Sequence, residues 1–214
     1  MGWALWSVLG ESAQSEFDAA HYGAGAAILS VVLLGRGYAM LAAAWFSFLY
    51  PEKRVRFLNR GISGNRTVDL RERWQRDCLD LRPTWLSIYV GINDTWRRFD
   101  RHMPTTTEEF GEHYRALLQS VSKQLPDTRP VIVEPFVLPV PPDRREWRQD
   151  LDPKIAVVRS LALEYRALYV PLDGLFAQAA TRREPEFWAP DGVHPTPAGH
   201  ALIAQAWLNA VKAL

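Results

Sequence analysis

The sequence predicts a single α/β domain over residues 1–214, with a parallel sheet of five strands covered on both faces by helices. Three observations predict it. Short apolar runs alternate with segments in which apolar residues recur every three or four positions. The run Trp85 to Val90 is unbroken enough to be buried on both faces, as strands of parallel sheets are. Helix-start and helix-stop residues fall where one pattern gives way to the other. A chain of 214 residues, 48% of them apolar, is also long and apolar enough to bury one sizeable core.

The elements follow in order. Ala4 to Leu9 reads as the first strand. Tyr38, Leu41, Ala42, Trp45 and Leu49 have helical spacing, and Pro51 stops that helix. Val55 to Leu58 reads as the second strand. Leu70, Trp74, Cys78 and Leu81 make one helical face that ends before Pro83, and Trp85 to Val90 is the third strand. Thr105 with Glu108 and Thr106 with Glu109 both fit a capping box. They precede a helix that presents Phe110, Tyr114, Leu117, Val121 and Leu125 on one face. Val131 to Glu134 is the fourth strand. The stretch PFVLPVPPDRREWRQDLDP, residues 135–153, reads as a proline-rich surface loop and the most variable wall of a pocket. A helix over Ile155 to Tyr165 and a short fifth strand, Leu168 to Val170, come next. The last helix takes Thr196 as its cap and Pro197 as its first residue.

Composition narrows the function. The formal net charge is +1, and pairs such as Arg144-Arg145 and Arg182-Arg183 are too short to make a binding stripe. Neither nucleic acid nor a charged membrane surface is therefore expected as a partner. Cys78 is the only cysteine, which excludes an intrachain disulfide, and its place in a helical pattern reads as a small buried residue. The N-terminus MGWALWSVLGES has no basic region before its apolar run, a poor signal peptide, so the expected location is cytoplasmic. Residues 24–49 are long and apolar, which raises the rival reading of a membrane tether. Arg36 and two glycines interrupt their middle, so a buried segment leading into a helix near Gly37 is expected instead of a span.

In parallel α/β folds the site lies at the carboxyl ends of the strands. The first three strands lead into Gly10-Glu11-Ser12, into 59–65 (NRGISGN) and into Gly91-Ile92-Asn93-Asp94. Near the C-terminus, DGVHP places Asp191 three residues before His194. These types fit acyl transfer. A serine hydroxyl needs a base, an imidazole supplies one near neutral pH, and a carboxylate on its other nitrogen fixes the tautomer. A glycine N–H and an asparagine amide suit the oxyanion of the tetrahedral intermediate.

NRGISGN, GIND and DGVHP, in this order and spacing, resemble three blocks of the SGNH hydrolases, the GDSL-type esterases and lipases. The resemblance covers most of the chain from Gly35 onward. It implies a flavodoxin-like three-layer α/β/α sandwich and a serine esterase that acts on a small ester through an acyl-enzyme, without metal or other cofactor. It also implies that Gly61 and Asn93 form the oxyanion hole, that His194 is the base and that Asp191 orients it. Short-chain esters, including acetyl groups on carbohydrates, are the expected substrates. The first block departs from the family, which has Gly-Asp-Ser where this chain has Gly10-Glu11-Ser12. Ser12 is the match for the nucleophile, though a turn or cap serine would look the same. Residues from Ala13 to Leu34 carry no family motif, as a diverged segment or a shifted reading frame would leave them. The altered block motivates a rival from another class, a hydrolase-like binding module that keeps the pocket without catalysis. Asp94 and His200 read as structural. Trp96, Trp147 and Trp188 are placed on loops around the crevice, either as an aromatic rim for a sugar or acyl group or as loop anchors.

Overall fold

The computed structural model describes residues 3–4, 7–11, 37–141 and 143–214, the first two stretches as backbone strands only. It is an α/β/α arrangement with a mostly parallel sheet. The strands are β1 (Trp3–Ala4), β2 (Ser7–Glu11), β3 (Val55–Asn59), β4 (Ile62–Ser63), β5 (Trp85–Tyr89), β6 (Arg129–Val133) and β7 (Leu168–Val170). The helices are α1 (Tyr38–Leu49), α2 (Thr67–Asp77), α3 (Ile92–Asp100), α4 (Thr107–Gln124), α5 (Arg144–Glu164), α6 (Leu172–Ala180), α7 (Pro185–Trp188) and α8 (Pro197–Ala210).

The main sheet has five strands in the order β3-β2-β5-β6-β7. β5, β6 and β7 pair in parallel, as the sequence predicts. β2 does not. It runs antiparallel to both neighbours, with Ser7 opposite Asn59, Glu11 opposite Val55 and Leu9 opposite Trp85. The sheet is therefore mixed, and the expectation of five parallel strands is corrected. An apolar run specifies a strand but not its direction. Direction is set by the connections between strands, which the pattern within a strand does not encode. The predicted first strand, Ala4 to Leu9, is also divided, because Trp3 and Ala4 pair instead with Ser63 and Ile62.

Alternation along the strands sends their side chains into two helical layers. Leu86, Ile88, Val90 and Ile132 face a cluster with Leu70 and Trp74 of α2, Phe110, Tyr114 and Leu117 of α4, and Val158 and Leu161 of α5. Tyr89, Val131, Val133 and Val170 face the other cluster, with Tyr38 and Ala42 of α1, Phe176 of α6, and Ile203 and Trp207 of α8. Cys78 is fully buried, and burial pushes its thiol far above the usual range, as befits an inert core residue.

The caps follow the sequence. Thr106 accepts from the Glu109 N–H at 3.1 Å while Glu109 accepts from the Thr106 N–H at 2.9 Å, so this capping box forms and Thr105 is left buried ahead of it. Thr196 accepts from the Gly199 N–H at 3.2 Å and Pro197 opens α8. His200 accepts the Tyr38 N–H on Nδ1 at 3.3 Å, tying α8 to α1, which is the structural role expected of it.

The 135–153 loop is the second correction. Residues 144–153 belong to α5, which contains Pro153, and Phe136, Val137 and Leu138 are buried rather than on the surface. The spacing Trp147, Leu151, Ile155, Val158 marks this buried helical face, and the prolines masked it. Among the described residues no helix is long and apolar enough to cross a membrane. Within the apolar 24–49 stretch, residues 24–36 lie outside the description, and α1 has 12 residues.

Candidate active site

The carboxyl end of β5 turns sharply into α3. Gly91 makes the turn at φ +133°, and a Cβ there would stand 3.0 Å from the Pro135 ring, so only glycine fits. The turn places Asn93 and Asp94 in the first turn of α3, both buried. Asn93 Nδ2 donates to the Asn65 carbonyl at 2.9 Å. Asp94 accepts from the Thr67 hydroxyl at 2.6 Å and, with both oxygens, from the Thr67 N–H at 3.1 and 3.2 Å. Complete burial pushes the Asp94 carboxyl up to about 6, against the pull of those Thr67 bonds and of nearby Lys154 and Arg66. Asp94 thus pins the start of α2 to the start of α3, the structural role that the sequence suggests.

The 59–65 segment carries Gly61. Its N–H donates to Asn59 Oδ1 at 2.9 Å. Acting on an oxyanion requires it to exchange that oxygen for the substrate's. Arg73 of α2 holds the segment at two points, donating to the Arg60 carbonyl at 2.8 Å and to Asn65 Oδ1 at 2.9 Å. Asn65 therefore connects two groups, since its carbonyl orients the Asn93 amide while Arg73 holds its side chain.

The Asp191–His194 loop closes the arrangement. One Asp191 oxygen bonds His194 Nδ1, and the other accepts from the N–H groups of His194 at 2.8 Å and Val193 at 3.2 Å. Burial alone would raise the Asp191 pKa. The bonds from the His194 ring and from the two backbone N–H groups outweigh it, and the carboxyl is held far below the usual range. A carboxylate at Nδ1 fixes the tautomer that leaves Nε2 as the base. His194 Nε2 is buried and has no hydrogen-bond partner among the described residues. Gly192 sits at φ +85° between the two residues, and a Cβ there would stand 2.3 Å from the Val140 carbonyl. Val193 and Ile92, the residues preceding His194 and Asn93, belong to one buried apolar cluster. The Trp96 ring stands 5.4 Å from the His194 ring, which brings the His194 loop against the helix that carries Asn93.

An Asp-oriented imidazole lies against the helix that carries Asn93, and comparison with known proteins identifies the family. The model of the GDSL-like Lipase/Acylhydrolase family matches residues 19–202. The chain belongs to that family. It is 33% identical over 183 residues to an acetylxylan esterase of Geobacillus stearothermophilus, covering 83% of this chain and 82% of that protein. The crystal structure of an acetylxylan esterase from the same organism superposes with a TM-score of 0.75 at 31% identity, over 83% of this chain and 82% of that one. A protein of Parabacteroides merdae named for its likeness to GDSL lipases superposes with a TM-score of 0.82 at 34% identity, over 85% of this chain and 84% of that one. Further solved forms of the Geobacillus esterase substitute a serine, a histidine and an aspartate and are described as catalytic mutants.

In this GDSL-family hydrolase the first block departs from the family pattern, with Gly10-Glu11-Ser12 where the family has Gly-Asp-Ser. Ser12 lies outside the described residues, and the family match begins at residue 19, beyond Gly10-Glu11-Ser12. The direction of β2 brings Ser7, not Glu11, to the sheet end that carries Asn59 and the site. The tryptophans are also reassigned, since all three belong to helices. Trp96, on α3, is half-buried with its ring 5.4 Å from the His194 ring, so it does stand at the site. Trp147 is buried in α5 and stacks on Phe99 at 5.2 Å, which removes it from any rim. Trp188 ends α7, and its carbonyl accepts the Thr196 N–H at 2.9 Å while its ring packs on the α8 side of the core. Sequence reading missed Arg73 and Arg144, which reach the main-chain carbonyls of Arg60 and Asp191, atoms that any residue at those positions would present.

Proposed function

We propose that this GDSL-family hydrolase is a serine carboxylester hydrolase that removes acetyl groups from carbohydrate esters, acetylated xylose polymers and oligomers foremost. The observation that carries the reading is the Asp191–His194 pair, with Nδ1 engaged by the carboxylate and a buried Nε2 left to take a proton. His194 would take the proton of a serine hydroxyl as that oxygen attacks the acetyl carbonyl. The Asn93 amide and the Gly61 N–H would receive the oxyanion, each such donor being worth about 3–4 kcal/mol in the transition state. His194 would then return its proton to the leaving sugar oxygen, and water would release acetate from the acyl-enzyme by the same steps. The substrate class is supported by the Geobacillus esterase and by the indole of Trp96 beside the base, a surface on which a sugar ring can stack.

Ser12 is the proposed nucleophile, on its place after Gly10 and ahead of the other blocks. The direction of β2, with Glu11 opposite Val55, stands against it and favours a second reading, a hydrolase-like binding module that lacks an aimed serine. A fluorophosphonate probe separates the two. The first reading expects one adduct, mapped to Ser12 and absent from His194→Ala. The second expects no adduct on the folded protein, and an adduct on another serine would reassign the nucleophile.

A further inference from the structure

The first residue of α5 reaches into the active-site loop. Arg144 Nε donates to the Asp191 carbonyl at 3.1 Å. Its guanidinium carbon stands 3.9 Å from the centre of the Trp147 ring and 5.4 Å from that of Trp96, and Trp96 in turn leans on the His194 ring at 5.4 Å. The Arg144 side chain is only 11% exposed, and its Cγ lies 3.2 Å from where a Cβ on Gly192 would stand. The neighbouring Leu138 N–H donates to the Gly192 carbonyl at 2.8 Å, so two consecutive carbonyls of the loop are held from outside it.

We propose that Arg144 is a positioning residue for the His194 base, fixing the Asp191 carbonyl and the Trp96 indole that together set the orientation of the imidazole. The chemistry of the side chain supports this over packing alone. Its ion pair is with Asp143, which is mostly exposed and adds little. If only the space against the Trp147 indole had to be filled, an aliphatic residue would fill it without desolvating a charge. A guanidinium does what an aliphatic residue or an ammonium does not. It stacks flat on an indole and still directs an N–H in its plane at a carbonyl. Displacing the loop by a fraction of an ångström would leave Asp191 and His194 paired but misaimed, so turnover should suffer while substrate binding does not.

The inference rests on the esterase reading above, and the test keeps the two apart. In the full chain, Arg144→Lys and Arg144→Ala are measured beside the parent for kcat, KM, thermal midpoint and the downfield imidazole proton of the His194–Asp191 bond. The expected result is a fall in kcat of about 10- to 100-fold with KM within about twofold, and a broadened or shifted imidazole proton. Millimolar guanidinium should restore part of the activity of Arg144→Ala and none to His194→Ala. Should Arg144→Ala fail to fold, Arg144→Lys decides. Parent-like kcat together with an unchanged imidazole proton in Arg144→Lys would overturn the proposal. A parent with no esterase activity would defeat the esterase reading instead, and the imidazole proton alone would then decide for or against Arg144.

Discussion

Asp191 holds His194 by the ring and by the backbone at once, one carboxylate oxygen on Nδ1 and the other on the His194 N–H at 2.8 Å. The two contacts fix both the rotation of the imidazole and its tautomer. Asp191→Asn offers an amide where the ring needs an acceptor and should lower kcat by about 10⁴-fold, measured with a chromogenic acetate ester.

The same residue predicts an acid-side effect on stability. The folded-state pKa of Asp191 is depressed. Its contribution is therefore present above the unfolded value of about 3.9 and is lost as pH falls towards the folded value. Asp191→Asn should be less stable than the parent at pH 7, and the gap should narrow below about pH 4. Urea midpoints across that range measure it, and a gap independent of pH would show that the carboxylate charge contributes nothing.

Asp94 predicts the opposite sign. Its pKa is raised to about 6, so the folded state binds its proton more readily than the unfolded state does. The contribution is present below the unfolded value of about 3.9 and is lost as pH rises through the folded one, a change of about 2–3 kcal/mol. Asp94→Asn removes this slope. The stability of the variant relative to the parent should therefore rise from pH 4 to pH 7, whatever fixed cost follows from losing the Thr67 contacts.

Asn93→Ala should lower kcat by about 10²- to 10³-fold with little change in KM, because an oxyanion donor acts mainly in the transition state. Steady-state kinetics on an acetate ester measure both constants. A loss confined to KM would make Asn93 a ground-state binding residue.

Gly192→Ala forces a side chain into a left-handed backbone and onto the Val140 and Leu138 carbonyls, 2.3 and 2.5 Å from the new Cβ. The backbone alone costs about 1–3 kcal/mol. Urea unfolding should show at least that loss, and esterase activity should fall with it as the His194 loop shifts.

The sequence makes some of this site legible and hides the rest for physical reasons. Asn93 and the Asp191–His194 pair lie on short contiguous motifs whose members meet through local geometry, so the residues announce their neighbours. The three parallel strands and the Thr106 and Thr196 caps are local in the same sense. The direction of β2 is not local, because Ser7 to Glu11 would read identically in either orientation. Trp147 looked like a loop residue because prolines precede and follow it, although Leu151, Ile155 and Val158 continue its helical period. Arg144 could not be read at all. Its acceptor is the main-chain carbonyl of Asp191, 47 residues away, and any residue there presents the same atom.

Acetate release from acetylated xylo-oligosaccharides, by the parent and by His194→Ala in parallel, tests the central claim most directly. The account predicts saturable release by the parent and a rate lower by at least about 10³-fold in a His194→Ala protein that folds normally. Release at equal rates by both, or none from a correctly folded parent, would contradict it.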